Sequence, residues 1–355
     1  MRPAPPASAA ALVAAEAALG RSLPPALRSF LESFDGVDLF HEAVLVAGVG
    51  PQAPLALAAL NRGDARGALV FAEAAGGDRF ALRDDGKVLR LRGEGEGDKS
   101  AGDEPGGDEP ERWLAGSDFS KWLEALVAHE RVLYGPDGEF SPDVFEPDGA
   151  EILPLVALRQ TERALRIDPD AADLHHERAI ALRRLGRDDD ARAAFERAAR
   201  LDAENPWTWF DLGRAALAAG IAGAREALVA FENAGRLDRG QAGARFWVWA
   251  ARAAQLLGAP ERMVACREEA LRRVPGLGAA LRRACEAAAE SDDSDELVEA
   301  EALRAALEDP VPAGRARLTV LPDRESGRHP HREEPTTKNA APQPRARKPS
   351  AKPRR

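Results

Sequence analysis

The chain has 355 residues, 30% of them charged and 45% apolar, with a formal net charge of -10. That is enough material for two cores in a globular chain, and its acidic balance argues against wholesale nucleic-acid binding. Two cysteines, Cys266 and Cys285, fall in helical pattern without a CxxC partner. This excludes a disulfide scaffold and suits reduced thiols in the cytoplasm. No run of 18 or more apolar residues exists to form a spanning helix.

The start, Arg2 with an Ala-rich run from Ala7 to Ala15, is interrupted by Glu16 and lacks the Leu-rich centre of an export signal. Residues Ala10 to Phe34 predict helices broken at Leu23-Pro24-Pro25, because Leu12, Leu19 and Leu23, then Leu27, Phe30, Leu31 and Phe34, recur at helical spacing. Asp35-Gly36 is a stop and turn signal. The period then shortens. Ala43 to Val49, Ala68 to Glu73, Arg79 to Arg83 and Val88 to Arg92 predict strands, the last three joined by Gly76-Gly77-Asp78 and Asp84-Asp85-Gly86 as antiparallel hairpins. Residues Glu94 to Glu111 are Gly-rich and carry eight acidic groups against one Lys, the composition of a mobile loop. A helix capped at Ser117 or Asp118 runs to about Val132, with Phe119, Trp122, Leu123 and Leu126 on one face.

The string Glu16-x2-Leu19-Gly20-x2-Leu23-Pro24-x5-Phe30-Leu31-x4-Gly36 resembles the opening of the SUKH superfamily. The likeness continues at Gly76-Gly77-Asp78-x-Phe80-x-Leu82, then Gly86-x-Val88, and closes on Phe119-x2-Trp122-Leu123. It covers about Ala10 to Tyr134 and implies an α+β domain, a small antiparallel sheet with helices, over residues 8–134. The acidic loop, 94–111, is an extension of that pattern.

Gly135 to Gly149 is rich in Gly, Pro and Asp, so 135–150 reads as a linker. Ile152 to Ile167 predicts one helix. A pattern with a period of 34 residues follows: His175 and Trp209 start equivalent helices, and Leu182-x3-Gly186 repeats as Ala216-x3-Gly220. This resembles tetratricopeptide hairpins, whose units stack into a solenoid. One hairpin carries Gly186, Ala191, Phe195 and Ala198. A second carries Trp209, Gly213, Gly220, Ala227, Phe231 and Ala234, with two extra residues before Ala227. A third carries Trp247, Gly258 and Ala270, with Arg267 in place of the large aromatic. A degenerate fourth, Leu281 to Ala289 and Glu296 to Leu307, completes an all-α solenoid over 151–309. The remainder, 310–355, is a basic tail with the composition of disorder; its basic groups allow weak nucleic-acid contact.

No catalytic or metal-binding kit stands out. The six His, His41, His129, His175, His176, His329 and His331, form no HExxH and pair with no Cys at ligand spacing. Gly48-Val49-Gly50 is followed by prolines and lacks a Walker pattern, so it is a poor phosphate loop. No catalytic residue, metal or cofactor is expected, and the chain reads as a non-enzyme.

Helical spacing relative to His175, Trp209 and Trp247 places Arg183, Arg184, Trp207, Phe210, Arg214, Arg245 and Arg252, with Gln255, on the concave face, together with His176. An Arg-rich groove with an aromatic floor suits an acidic peptide, since guanidinium forks hold carboxylates. The competing reading is that arginines are simply abundant on this surface. Function then reads as non-catalytic protein binding. The family resemblance implies an immunity-type protein that masks a toxin, with a basic toxin domain meeting the N-terminal domain; the alternative is a scaffold or adaptor recruiting partners through the repeats. A further expectation is that the acidic loop docks in the groove of its own chain.

Overall fold

The computed structural model describes residues 2–40, 42–62, 68–92, 112–135, 139–146, 151–238, 241–291 and 294–308. The acidic loop, His41 and the tail expected from the sequence lie outside these residues. Near the start, Ser8 caps helix α1 (Ala9–Leu19) by accepting the Ala11 N–H at 3.2 Å, and Gly20 ends it in the left-handed conformation. Pro25 opens α2 (Pro25–Ser33), which confirms the break at 23–25. Seven strands follow the chain in an antiparallel meander: β1 (Arg2–Pro3), β2 (Val37–Leu39), β3 (Val44–Val46), β4 (Leu69–Ala74), β5 (Arg79–Leu82), β6 (Val88–Leu91) and β7 (Arg112–Gly116). A short helix α3 (Leu57–Leu60) and the longer α4 (Phe119–Glu130), capped by Asp118, complete this part. Leu12, Leu27 and Leu31 from the helices meet Val37, Val46, Phe71 and Val88 from the sheet in one buried cluster. Trp122 of α4 sits edge-on to Phe71 at 4.9 Å.

This is the α+β arrangement that the sequence implied, with strands added at β1, β2 and β7 and a helix at α3. Three of the four are short, and β7 follows an acidic stretch that masks its start. The Gly48-Val49-Gly50 segment has a structural task. The buried Asp35 carboxylate accepts the N–H groups of Val49 at 2.6 Å and Gly50 at 2.7 Å, so these donors serve the fold.

Among the described residues, nine helices follow: α5 (Pro154–Leu165), α6 (Ala172–Arg184), α7 (Asp188–Leu201), α8 (Pro206–Ala218), α9 (Ala224–Leu237), α10 (Gln241–Leu256), α11 (Pro260–Arg273), α12 (Leu277–Ser291) and α13 (Ser294–Glu308). Pairs α6–α7, α8–α9 and α10–α11 are antiparallel hairpins, and the two extra residues fall in a single 3-10 turn, Gly220–Ala222. Close approach explains the small residues: a Cβ on Gly213 would lie 2.6 Å from the ring of Phe231. His175, Trp209 and Trp247 share a role beyond packing. Each ring nitrogen bonds a backbone carbonyl before its helix, at Pro169 (3.0 Å) and Ala203 (2.9 Å) in the inter-hairpin turns and at Gly235 (3.2 Å) in the last turn of α9. His175 therefore replaces the tryptophan by keeping its N–H donor.

The fourth pair departs from the repeat. It is α13, the second of the two, that lies along α10, with Leu303 and Leu307 packed among Ala244, Val248 and Leu277.

The sheet and the helices belong to one compact unit, residues 1–314. Helix α4 packs on α5 as α5 does on α6, so the last helix of the N-terminal part begins the helical stack. The open edge of β7 is covered by two carboxylates from equivalent inter-hairpin turns. Asp202 accepts the Leu114 N–H at 3.0 Å, and Asp168 accepts the Ser117 N–H at 2.7 Å. Asn205 donates to the Arg112 carbonyl at 2.8 Å. An uncovered edge would be open to pairing with another chain. The stretch expected as a linker is packed where it is described. Leu133, Val144 and Val156 form a small core there, and Phe145 bridges to Ile152. An Asp202→Ala chain leaves the Leu114 N–H without its acceptor. It should lose about 1–3 kcal/mol of stability, read as a lower urea midpoint.

Candidate functional site: an aromatic and arginine groove

The first helices of the three hairpins, α6, α8 and α10, differ in access. The N-terminal part covers α6. Trp113 of β7 lies 4.4 Å from the His176 ring, whose Nε2 is 2.7 Å from Asp211. Arg90 of β6 donates to Glu177 at 2.8 Å. His176, expected on the concave face, thus lies beneath the sheet edge.

On α8 and α10 the surface is an aromatic cluster. Trp207 meets Phe246 edge-on at 5.1 Å, and Phe210 lies 4.7 Å from Phe246 and 6.0 Å from Trp249. Behind them, buried Phe231 of α9 lies 5.6 Å from Trp249. The Arg214 guanidinium stands 5.4 Å from the Trp249 ring and 5.9 Å from Phe210. Such contacts contribute about 0.5–2 kcal/mol each, depending on exposure, and they orient the cation. Arg214 also donates to Glu299 of α13 at 3.0 Å.

Of the seven groove residues expected from the sequence, Trp207, Phe210 and Arg214 are brought together. Arg245 is exposed near the start of α10, and Arg252 donates to Gln255 at 2.8 Å. Arg183 lies over Phe195 at 6.0 Å. Arg184 turns away to the connecting segment, where it binds Glu146 and Glu151, each at 2.9 Å. Successive helical residues point about 100° apart, so Arg183 and Arg184 do not share a face. Phe246, Trp249 and Glu299 belong to the site but escaped the sequence reading. Trp249 lies two residues beyond the Trp247 reference, on a different side of α10.

Beside the groove, a charge cluster joins the sheet to the helices. Arg90, His129 of α4 and Glu177 of α6 converge, with Glu177 Oε1 2.8 Å from Arg90 and Oε2 3.5 Å from His129. Asp173 and Asp78 flank Arg90 at 3.8 and 3.4 Å, and Glu130 lies 3.0 Å from His129. Burial alone would lower the His129 pKa, but its bonds to Glu130 and Glu177 outweigh this and raise it to about 10. Burial likewise works against the Glu177 carboxylate, yet His129 and Arg90 hold it well below the usual carboxylate range. Burial pushes Asp173 up to about 7 against the pull of Arg90.

A raised histidine contributes stability that is full below its unfolded value near 6.5 and is lost as pH climbs toward 10. Glu177 contributes in the opposite sense, losing its share only as pH falls below its usual range. Asp173 is half titrated at about pH 7 and nearly complete a unit above it, and Cys266, pushed up to about 12 by burial, begins to cost stability only as pH nears 9. The window between about pH 8 and 9 therefore isolates His129. Stability should fall there by about 1 kcal/mol in the native chain and stay nearly flat in His129→Gln, measured by urea unfolding at each pH.

Between α9 and α11 a separate cleft of about 680 Å³ is lined by Arg236, Arg262, Arg272 and Arg273 around Glu232 and Glu269. Among the described residues, no group of three or more His, Cys, Asp and Glu could hold a metal ion, and no helix is long and apolar enough to cross a membrane.

Residues 6–125 match the SMI1 / KNR4 family (SUKH-1), and residues 172–215 match the tetratricopeptide repeat. Among solved structures, MamA from Desulfovibrio magneticus RS-1 is 18% identical; the match covers 43% of this chain and 85% of that one, with a TM-score of 0.31. YrrB, titled a TPR protein with an unusual peptide-binding site, is 17% identical over 44% of this chain and 78% of that one, at a TM-score of 0.32. A thermophilic TPR protein of Thermus thermophilus is 20% identical over 43% of this chain and 81% of that one, at 0.30. No curated protein sequence matches the chain.

Proposed function

We infer that this chain, which couples a SUKH-1 segment to tetratricopeptide hairpins, is a non-catalytic protein-binding protein that takes an acidic peptide or protein segment in the groove of α8 and α10. One observation carries the reading: Trp207, Phe210 and Trp249 form a partly accessible aromatic floor on which Arg214 is stacked. Aromatic and arginine side chains held together supply apolar contact and carboxylate recognition at small conformational cost. Arg245 and Arg252 extend the basic character along α10, and Arg183 does so along α6.

The immunity-type reading, in which the chain masks a basic toxin domain, is favoured over a flexible adaptor by the joint between the two parts. The edge of β7 and the Arg90–Glu177–His129 cluster support a single rigid body, suited to covering one partner in fixed geometry. An adaptor for two partners gains from a loose joint instead. Such a partner is met in the cytoplasm, where Cys266 and Cys285 stay reduced.

Capture from the native host tests this. Full-length chain and a Trp249→Ala, Arg214→Glu chain are used as baits, and retained proteins are identified by mass spectrometry. The native chain should retain a partner whose recovery falls at least about tenfold with the variant, equal to the loss of about 1.4 kcal/mol of binding. Equal recovery by both baits would remove the groove from the function.

A further inference from the structure

We propose that α13 is an occupant of the α8/α10 groove supplied by the same chain, and that the external ligand of that groove is an acidic amphipathic helix that replaces it. This rests on the groove reading above and adds the shape of the ligand, its direction and its competitor.

Three observations converge. First, the fourth pair departs from the stack: a plain continuation would pack α12 on α11, as α8 packs on α7 and α10 on α9, but α12 scarcely meets α11 and it is α13 that lies along α10, presenting Leu303 and Leu307 to Ala244 and Val248. Second, α13 reaches past α10. Its Glu299 carboxylate accepts from Arg214 of α8 at 3.0 Å, the same arginine that is stacked on Trp249 and Phe210. The groove's best-oriented cation is thus already bound to a carboxylate carried on a helix. Third, the other end is fixed by a different arginine. Arg267 donates to the carbonyls of Ala305 and Ala306, in the last turn of α13, where carbonyls lack helical partners. Arg267 stands where the first two hairpins carry Phe195 and Phe231, so the third hairpin gives up a packing aromatic for a group that receives a helix end. Arg214 and Arg267 therefore set a direction, with carboxylate at one and terminal carbonyls at the other.

The sequence of α13 fits a replaceable occupant. Asp295, Glu296, Glu299, Glu301 and Glu308 stand against the single Arg304. The Glu299–Arg214 pair is more than a third exposed on both sides, at 37% and 38%, and Val298 is 65% exposed. An ion pair this open holds weakly. A helix that served only to cap the stack would have no need to reach α8.

The probe is a fluorescein-labelled, acetylated peptide of residues 294–308, titrated by anisotropy into full-length chains at low and high salt, with hydrogen exchange reporting on α13. Glu299→Arg places like charge against Arg214. Exchange over 294–308 should quicken, and the peptide should bind this chain at least about tenfold more tightly than the native one, because the competitor has left. An Arg214→Glu chain should lose the peptide and recover it when the peptide carries the Glu299→Arg change. Equal binding to native and Glu299→Arg chains, with loss in Arg214→Glu, would overturn the competition and leave the groove standing. Unchanged exchange in Glu299→Arg would also overturn it. Faster exchange without peptide binding to any chain would overturn the acidic helix as ligand.

Discussion

A Glu177→Ala chain is expected to lose about 3–5 kcal/mol of stability and to loosen the joint between sheet and helices. The size follows from what remains behind. Glu177 receives Arg90 on one oxygen and faces His129 with the other, and both cations are largely buried at the joint. Removing the carboxylate leaves two like charges close together, with Glu130 beside His129 and Asp173 and Asp78 beside Arg90 as the remaining compensation. Asp173 is itself pushed up to about 7 by burial, so it supplies that charge poorly at neutral pH. The readouts are the urea midpoint and the emission of Trp113, which is packed on His176 across the same joint. A Glu177→Gln chain keeps the shape and should recover only part of the loss, because an amide lacks the charge that both cations need.

The second large effect is expected at Phe231. It is fully buried, lies against Gly213 of the partner helix and supports Trp249 from below at 5.6 Å. Phe231→Ala should cost about 3–5 kcal/mol, the usual range when a buried ring is removed and its neighbours relax only partly. The direction of a second consequence is as firm. With the prop gone, Trp249 and the Arg214 stacked on it lose their fixed positions, so binding in the groove should weaken beyond what a general loss of stability explains. Comparison with Phe195→Ala separates the two effects. That ring is also buried but serves the first hairpin, so similar destabilisation with groove binding retained is the expected contrast.

Much of this was legible in the sequence, for identifiable reasons. The three hairpins follow from residues whose size dictates spacing, such as Gly213 against Phe231 and the ring donors at His175, Trp209 and Trp247. The α+β part followed from ordered motifs and turns with glycines at Gly77 and Gly86, both of positive φ. What escaped was long-range and polar. Nothing local in the sequence marks Asp168 and Asp202, and only the fold reveals that they serve the edge of β7. Arg90, His129 and Glu177 sit on three separate elements with no local pattern to link them. The face of α10 was set from Trp247, whose ring turns back to Gly235, so Trp249 and Phe246 were missed. Arg184 was assigned by spacing alone, and its carboxylate partners in the connecting segment were beyond the reach of that reasoning.

The most direct measurement is hydrogen exchange of the full-length chain with and without the partner captured from the native host. Recognition by the groove predicts slowed exchange across α8 and α10 on binding, together with faster exchange over residues 294–308 as α13 gives way. Slowed exchange confined to other elements, with α8, α10 and α13 unaffected, would contradict it.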